Sequence, residues 1–257
     1  MIFNIQLIDV KKNICNNIME NIYIVTGASQ NHFKSLKQFI STVNTVYCKC
    51  IVWDLGLDET SVLELNTMFN INYRKFDYSK YPEYYNININ AGEYAWKPAL
   101  IKQTMDEIIR YDINNNTILW WCDAGNKHDI NSLSNIIEIV TRNKIYSPTS
   151  SGTIEQYTHL KTLEYFKISL NDEFLKKTPR NGATYGFLIS DNEVRDFINE
   201  FDICGKTKEC IAPEGSNRNN HRQDQAVFSI LYYIFFKQDI NCLIYDDYIC
   251  SIHNDID

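Results

Sequence analysis

The sequence predicts a single α/β domain in which helices flank a central, mostly parallel sheet. Short apolar stretches rich in β-branched residues alternate with stretches of helical periodicity, as the strands and crossover helices of a parallel sheet do. A chain of 257 residues is long enough to bury one substantial core. No linker rich in Pro, Gly or Ser, no low-complexity tract and no internal repeat divides it.

The first half of the chain alternates strands and helices. The predicted strands are 21–29 (NIYIVTGAS), 49–54 (KCIVWD), 70–76 (NINYRKF) and 117–123 (TILWWCD). The predicted helices are 32–43, 59–69 and a helix that begins near Lys97 and Pro98. Between them, the Tyr- and Asn-rich segment 77–95 is long enough to be a functional loop. Segment 117–123 is apolar on both faces, which is typical of a central parallel strand.

The second half has weaker patterns but the same kinds of element. We expect helices at 131–142, 153–167 and 193–201, short strands at 145–148 and 181–190, a polar loop at 204–220, and a last helix from 220 through the apolar stretch 226–236.

Composition excludes some classes of function. A formal charge of −7 argues against nucleic-acid binding through a basic face. Eight cysteines without a C-x-x-C pair predict mostly buried or free thiols. The N-terminus lacks the basic region and cleavage site of a signal peptide, and the longest apolar stretch is too short to cross a bilayer. We therefore expect a cytoplasmic protein; its oligomeric state stays open.

Asp123 follows the apolar strand and precedes two small residues, Ala124 and Gly125. Open α/β sheets bind ligands outside the carboxyl ends of their strands, where this side chain is expected to lie. A carboxylate there can bind a hard divalent cation together with phosphate oxygens. Candidate partners in such a site are His253 and, after it, His128 or Asp129. The alternative is that Asp123 only caps the following turn.

Two further charged residues begin predicted helices. Lys97 lies in the aromatic stretch YAWKP, where it can place a cation beside phosphate oxygens; taken alone, it is also compatible with a solvated lysine. Asp224 lies in HRQDQ at the start of the last helix. A first-turn acid suits the helix dipole, so a capping role competes with a functional one for Asp224.

The stretch IVTGAS after the first strand suggests a dinucleotide site, but the G-x-G-x-x-G fingerprint is absent because only Gly27 is present. A Y-x-x-x-K pair typical of short-chain dehydrogenases is also absent. A plain strand end is the simpler interpretation of Gly27, although Thr26 and Ala28 can line a nucleotide pocket through their backbone groups.

Taken together, seven segments resemble a family. The segments are VTGASQNHF, VWDLGL, YRKFDYSKYP, YAWKPALI, ILWWCDAGN, NGATYGFLIS and HRQDQAVF. They resemble DUF1647-type proteins, which are similar to nucleotide-sugar glycosyltransferases of the GT-A fold. The resemblance extends from about Ile22 to Tyr232.

The resemblance implies one GT-A-like domain over 1–257, with a donor half at about 21–130 and an acceptor half at about 131–257. It implies a hexosyltransferase-like enzyme that moves a sugar from a nucleotide-diphosphate sugar, uridine-based, to a glycan or another hydroxyl acceptor, with Mn²⁺ or Mg²⁺ as cofactor. Asp123-Ala124-Gly125 matches the metal-binding D-x-D element of that fold, with Gly in place of the second Asp.

The resemblance also implies roles for individual residues. Asp224 would be the catalytic carboxylate, Asp123 and His253 the metal ligands, Lys97 a contact of the diphosphate, and Gly182 to Gly186 a stretch beneath the donor sugar and the acceptor. The expected donor-site residues are Thr26, Ala28, Asp54, Tyr94, Lys97, Asp123, Gly125, Gly182, His221 and Gln225. Two alternatives remain: a degenerate protein that binds nucleotide sugar or glycan without turnover, and a nucleotide-dependent oxidoreductase.

Overall fold

The computed structural model describes residues 21–43, 49–68, 71–111, 113–127, 130–236 and 256. Within them, one sheet has the strand order β3-β2-β1-β4-β6-β5. The strands are β1 (Ile22–Ala28), β2 (Lys49–Asp54), β3 (Ile71–Lys75), β4 (Ile118–Cys122), β5 (Ile145–Tyr146) and β6 (Thr184–Leu188). Strands β1 to β4 are mutually parallel, and β6 runs antiparallel to β4 and β5. The predicted α/β class with a mostly parallel sheet is confirmed.

The helices cover both faces of this sheet. They are α1 (Phe33–Thr42), α2 (Glu59–Asn66), α3 (Trp96–Tyr111), α4 (Ile130–Asn143), α5 (Leu160–Tyr165), α6 (Asn192–Lys206), α7 (Lys208–Ile211) and α8 (Gln223–Phe236). Asp58 caps α2 by accepting a hydrogen bond from the Ser61 N–H at 2.7 Å. None of the helices in the described parts of the chain combines the length and apolar character needed to cross a membrane.

Two adjacent tryptophans show why β4 lies at the centre of the molecule. Because successive side chains of a strand point to opposite faces, Trp120 and Trp121 enter different core layers. Trp121 packs in the layer formed with α3, α6 and α8, and Trp120 in the layer formed with α1 and α4. Every residue of β1 and β4 is buried, as the predicted two-sided packing requires.

The largest differences from prediction lie in the second half. Segment 153–167 forms only one short turn at Glu155–Tyr157 and the six-residue α5. The predicted loop 204–220 contains the end of α6 and all of α7. Its turn brings Cys204 and Cys210 together, and the structure joins them in a disulfide, in contrast to the expected free thiols. The spacing of these two cysteines matches no known disulfide or metal-binding motif, so the pairing is seen only in the folded structure.

Candidate active site

The carboxyl ends of β1, β2 and β4 open into a continuous cleft with two parts. The first part, here called the larger cavity, has a volume of about 740 Å³. It is lined by 27–32, by Leu55 and Gly56 after β2, and by residues between Tyr78 and Trp96. The second part, here called the charged cavity, has a volume of about 450 Å³ and shares four lining residues with the first. The shared residues are Gly27, His32, Tyr94 and Trp96.

Aromatic packing holds the loop 77–95 against the sheet beside the larger cavity. The ring of Tyr81 stacks on Phe76 and on Tyr85, with centroids 4.9 and 4.7 Å apart. Tyr78 donates a hydrogen bond from its hydroxyl to the Leu55 carbonyl at 3.0 Å. The predicted functional loop therefore forms a fixed wall of the cavity.

The end of this loop forms a left-handed turn. Five consecutive residues, 90–94, have φ between +48° and +63°, and four of them are not glycine. The Trp96 indole N–H donates to the Ala91 carbonyl at 3.0 Å and ties the turn to the start of α3. A Cβ at Gly92 would lie 2.4 Å from the Tyr85 carbonyl oxygen, so that position requires glycine. Such strain persists only where surrounding contacts impose it, and it is concentrated at functional sites.

Lys97 is the central residue of the charged cavity. Its Nζ lies 3.0 Å from Asp123 Oδ1, 2.8 Å from Asp224 Oδ2 and 2.9 Å from the Gly182 carbonyl oxygen. The contact with the Gly182 carbonyl is a hydrogen bond, and those with the two carboxylates are ion pairs. The residue is only 2% exposed, although solvated lysine was the alternative from sequence.

Aromatic rings surround the same ammonium group. Nζ lies 5.7 to 5.9 Å from the centroids of four rings, those of Tyr94, Trp96, Trp121 and Tyr185. Burial opposes the charged form of Lys97, but the two carboxylates more than offset it and raise its pKa above the ordinary value. The ammonium therefore stays charged at neutral pH and attracts the electron-rich faces of the rings.

Asp123 is fixed at the end of β4 by three contacts. Its Oδ1 accepts a hydrogen bond from the Trp121 indole at 2.9 Å, in addition to the contact with Lys97. Its backbone N–H donates to the Ala183 carbonyl at 2.8 Å, which connects it to the segment before β6. The side chain is 29% exposed and lines the charged cavity. Asp123 thus reaches the cavity, as its position after the strand predicts.

Asp224 approaches the same lysine from the first turn of α8 and is 5% exposed. Burial raises the pKa of Asp224, Lys97 works in the opposite direction, and the Asp123 charge adds to the effect of burial. Gly182 packs closely against this turn, since a Cβ there would lie 3.3 Å from Gln225 Cβ and 3.7 Å from Asp224 Oδ2. Burial, followed by the charges of Asp224 and Asp123, raises the pKa of Tyr185 well above its usual value.

Two arginines that the sequence analysis did not predict as site residues, Arg218 and Arg222, also line the charged cavity. The Arg218 guanidinium lies 5.0 Å from the Tyr94 ring centroid, and that of Arg222 lies 3.5 Å from the Tyr157 centroid. Arg222 also donates to Ser150 Oγ at 3.4 Å. The signal in the sequence was the cationic segment around HRQDQ, which lies in and after a polar loop.

The structure brings most of the predicted site residues to the cleft. The predicted residues that line it are Ala28, Tyr94, Lys97, Asp123, Gly125, Gly182, Asp224 and Gln225. Three others are buried and line neither cavity: Thr26, Asp54 and His221. His253, and its alternatives His128 and Asp129, lie outside the described residues.

Asp54 and His221 have contacts that account for their burial. Asp54 Oδ1 accepts from the N–H groups of Gly56 and Leu57 at 2.7 and 2.6 Å, and its Oδ2 accepts from the Tyr73 hydroxyl at 2.7 Å. Burial and this carboxylate raise the pKa of Tyr73 to about 12. Asp54 thus shapes the turn that borders the larger cavity.

His221 lies between two backbone groups. Its Nδ1 accepts from the His159 N–H at 3.2 Å, and its Nε2 lies 2.9 Å from the Ile211 carbonyl oxygen. Burial lowers the pKa of His221 to about 4, so the ring is neutral at pH 7. A ligand contact for His221 or for Asp54 stays a prediction.

The carboxylates in this site do not fit a divalent cation held between them. Their facing oxygens, Asp123 Oδ1 and Asp224 Oδ2, are both in contact with Lys97. Among the described residues, no cluster of three or more His, Cys, Asp or Glu side chains suits a metal ion. A metal site that uses His253 stays a prediction from resemblance.

Comparison with known proteins supports the resemblance. The chain matches DUF1647 over residues 3–102. The members of that family are described as proteins of unknown function. No curated protein matches the chain. The resemblance to DUF1647 proteins stated from sequence is confirmed.

Solved structures match across most of the chain. One match is the galactosyltransferase LgtC in complex with donor and acceptor sugar analogues, which is 13% identical in sequence. The match covers 83% of this chain and 70% of the LgtC chain, with a TM-score of 0.50. The Mn/GDP form of core-mannan synthase A from Aspergillus fumigatus is 11% identical, with coverages of 82% and 69% and a TM-score of 0.46. Mouse xyloside xylosyltransferase 1 is 9% identical, with coverages of 84% and 82% and a TM-score of 0.43. At such identity, the likeness to LgtC shows a shared GT-A-type fold.

Proposed function

We propose that this protein is a glycosyltransferase that moves a sugar from a nucleotide-diphosphate sugar to a hydroxyl group of a glycan or another acceptor. The observation that carries the proposal is the pair of carboxylates, Asp123 and Asp224, which meet at Lys97 beside a larger cavity at the carboxyl edge of the sheet. The expected donor is a UDP-sugar, and the expected enzyme is hexosyltransferase-like.

The dimensions of the cleft support a ligand with a neutral and a charged end. Small-molecule sites have volumes of about 300 to 1,000 Å³, and both cavities fall in this range. We assign the nucleoside to the larger cavity and the diphosphate and sugar to the charged cavity. This arrangement places the bond between sugar and diphosphate near Asp224.

The reaction forms one bond and breaks another. An acceptor oxygen bonds to the anomeric carbon, while the bond from that carbon to the diphosphate breaks and its electron pair leaves with the nucleoside diphosphate. The acceptor loses its proton to a base. Asp224 is positioned either to take this proton or to stabilise positive charge at the anomeric centre, and Lys97 holds its carboxylate in place.

The test is the variant Asp224→Asn, which keeps the shape of the side chain and removes its charge. We expect it to lose at least about a hundredfold in transfer rate, measured as nucleoside diphosphate released in the presence of acceptor. Nucleotide affinity should stay close to wild type. The matched control is Asp202→Asn, since Asp202 is also 5% exposed and ion-paired, with Lys206, but lies in α6 away from the cleft. Normal turnover in Asp224→Asn would rule out this role for Asp224.

A second candidate is a protein that binds nucleotide sugar without turnover. The observation that favours it is Gly125, which stands in place of the second Asp of the D-x-D element. Thermal denaturation against UDP, GDP, their sugars and NADPH, each with and without Mn²⁺, identifies the ligand class, because a ligand of the folded state raises its stability. A stabilising nucleotide sugar with no product over long incubation would favour this candidate. Preference for NADPH over UDP would favour an oxidoreductase instead.

A further inference from the structure

The charged cavity has an excess of positive charge in an acidic protein. Its lining includes Lys97, Arg218 and Arg222 against the carboxylates of Asp123 and Asp224, whereas the whole chain has a formal charge of −7. Local charge of this sign favours an anionic ligand. The source of that charge is the pair of arginines, because the ammonium of Lys97 is compensated within the protein by two carboxylates.

The charge of Lys97 is already compensated by two carboxylates of the protein. Its Nζ donates a hydrogen bond to the Gly182 carbonyl at 2.9 Å and forms ion pairs with Asp123 and Asp224 at 3.0 and 2.8 Å. It also occupies the space that a divalent cation bridging the same two carboxylates would need, since metal–oxygen bonds span about 2.0 to 2.6 Å. A second positive charge at this point would be repelled by the first.

The two arginines have the opposite character. Arg218 is exposed and Arg222 is half-buried, and the faces of Tyr94 and Tyr157 support their guanidinium groups. A guanidinium has five N–H donors in a planar fork that matches the geometry of phosphate, and stacking on a ring leaves the donors in its plane usable. Ser150 accepts a hydrogen bond from one nitrogen of Arg222.

We propose that Lys97 acts as a built-in cation between Asp123 and Asp224, and that Arg218 and Arg222 bind the diphosphate of the donor, so that the site binds this group without a divalent metal. The identity of the ligand as a nucleotide rests on the proposed function. The anion site itself rests on the charges, burial and distances around Lys97.

Calorimetric titration with two probes, inorganic pyrophosphate and UDP, tests the proposal in buffer containing EDTA and again with Mn²⁺. We expect both ligands to bind in EDTA, with little gain from Mn²⁺. Arg218→Ala should weaken both about tenfold, which corresponds to about 1.4 kcal/mol. Arg222 also packs on Tyr157, so Arg222→Ala removes packing as well as charge. We therefore add Arg222→Lys, which keeps the positive charge but loses the planar set of N–H donors. The affinity of Arg222→Lys should lie between those of Arg222→Ala and wild type.

The control variant is Arg110→Ala. Arg110 is exposed in the last turn of α3, about 20 Å along the helix from Lys97, and should leave both affinities unchanged. Thermal denaturation of each variant separates loss of binding from loss of folding. A variant that melts like wild type but binds weakly supports a direct contact.

Several outcomes would overturn the proposal. Binding that requires Mn²⁺ would exclude the proposal. Wild-type affinity in both Arg218→Ala and Arg222→Ala would also exclude it. Transfer activity that depends on Mn²⁺ would overturn it and leave the glycosyltransferase function standing. Arginine-dependent binding of pyrophosphate without binding of UDP would support the anion site and count against the proposed UDP-sugar donor. If neither pyrophosphate nor UDP binds, the anion site and the proposed UDP-sugar donor are both overturned.

Discussion

The two cavities of the cleft are built in different ways. The residues that line the larger cavity all lie between Gly27 and Trp96, and Glu83 is the one Asp, Glu, Lys or Arg among them. The charged cavity combines β4, α3, α8 and the segment before β6, which are far apart in the sequence. One wall of the larger cavity depends on the backbone conformation of the loop 77–95, whereas the charged cavity depends on the convergence of charged side chains. Changes in backbone freedom should therefore affect the first, and changes in charge the second.

The largest effect is expected from Lys97→Met, which removes the shared cation of the charged cavity. Asp224, almost fully buried, loses its ion-pair partner, and Asp123 loses one of its contacts. Leaving a buried charge unpaired costs about 3–5 kcal/mol of unfolding free energy. Urea denaturation at neutral pH measures this loss.

The double variant Lys97→Met with Asp224→Asn sharpens that prediction. It removes the buried negative charge as well, so part of the lost stability should return. If the double variant is no more stable than the single one, the packing of the lysine stem, rather than the ion pair, explains the loss. A single variant as stable as wild type would contradict the assigned contacts.

The next effect concerns the wall of the larger cavity. Gly92→Ala places a Cβ 2.4 Å from the Tyr85 carbonyl in a residue with φ of +63°, and we expect a loss of about 2–3 kcal/mol. Gly215→Ala is the matched control, because φ there is +88° but the nearest atom lies 3.6 Å away. It should lose only about 1 kcal/mol. Equal losses, measured by urea denaturation, would show that the close approach at Gly92 is not limiting.

A pH-dependent effect is expected beside the charged cavity. Burial lowers the pKa of His221 to about 4, against an ordinary value of 6.5. Between these two values the unfolded chain binds more protons at this position, so stability falls as the pH drops from about 6.5 toward 4. From pH 7 to pH 5 the loss from this group is about 2 kcal/mol.

The variant His221→Gln isolates this contribution. It cannot titrate, so the difference in unfolding free energy between wild type and variant should shrink as the pH falls from 7 to 5. His159 donates its backbone N–H to His221, and its charge also acts on the His221 ring, so His221→Gln is compared again in a His159→Gln background. A difference that does not change with pH would show that the buried ring is not held neutral.

Sequence patterns led to the candidate site because its charged residues lie at or next to element boundaries. Asp123 directly follows an apolar strand, and Lys97 and Asp224 lie in the first turns of helices, so the rule for ligand sites at the carboxyl ends of strands applies. The contact between Lys97 and Asp224 was not predictable, because it depends on how α3 and α8 pack. The structure pairs Lys97 with two carboxylates, and a contact of Lys97 with phosphate stays a prediction.

Two other features, the left-handed turn at 90–94 and the position of Arg218, could not be predicted from the local sequence. The left-handed turn at 90–94 contains one glycine, and non-glycine residues rarely adopt this conformation, so no sequence rule predicts it. Arg218 lies in a polar loop rich in Asn, where composition suggests a solvated side chain. In the structure, Arg218 lines the charged cavity and its guanidinium lies 5.0 Å from the Tyr94 ring centroid.

The smallest effect tests whether the turn beside the larger cavity stores strain. Ala91 has a φ of +54°, which costs an alanine about 1–2 kcal/mol relative to a right-handed conformation. Glycine removes that cost but loses about 0.5–1 kcal/mol of backbone entropy, so Ala91→Gly should gain about 0.5 kcal/mol of stability. The same change at Ala99, inside α3, should instead lose about 1 kcal/mol or more. Opposite signs in thermal denaturation would show that contacts around the turn impose its conformation, whereas a loss at both positions would contradict the strain.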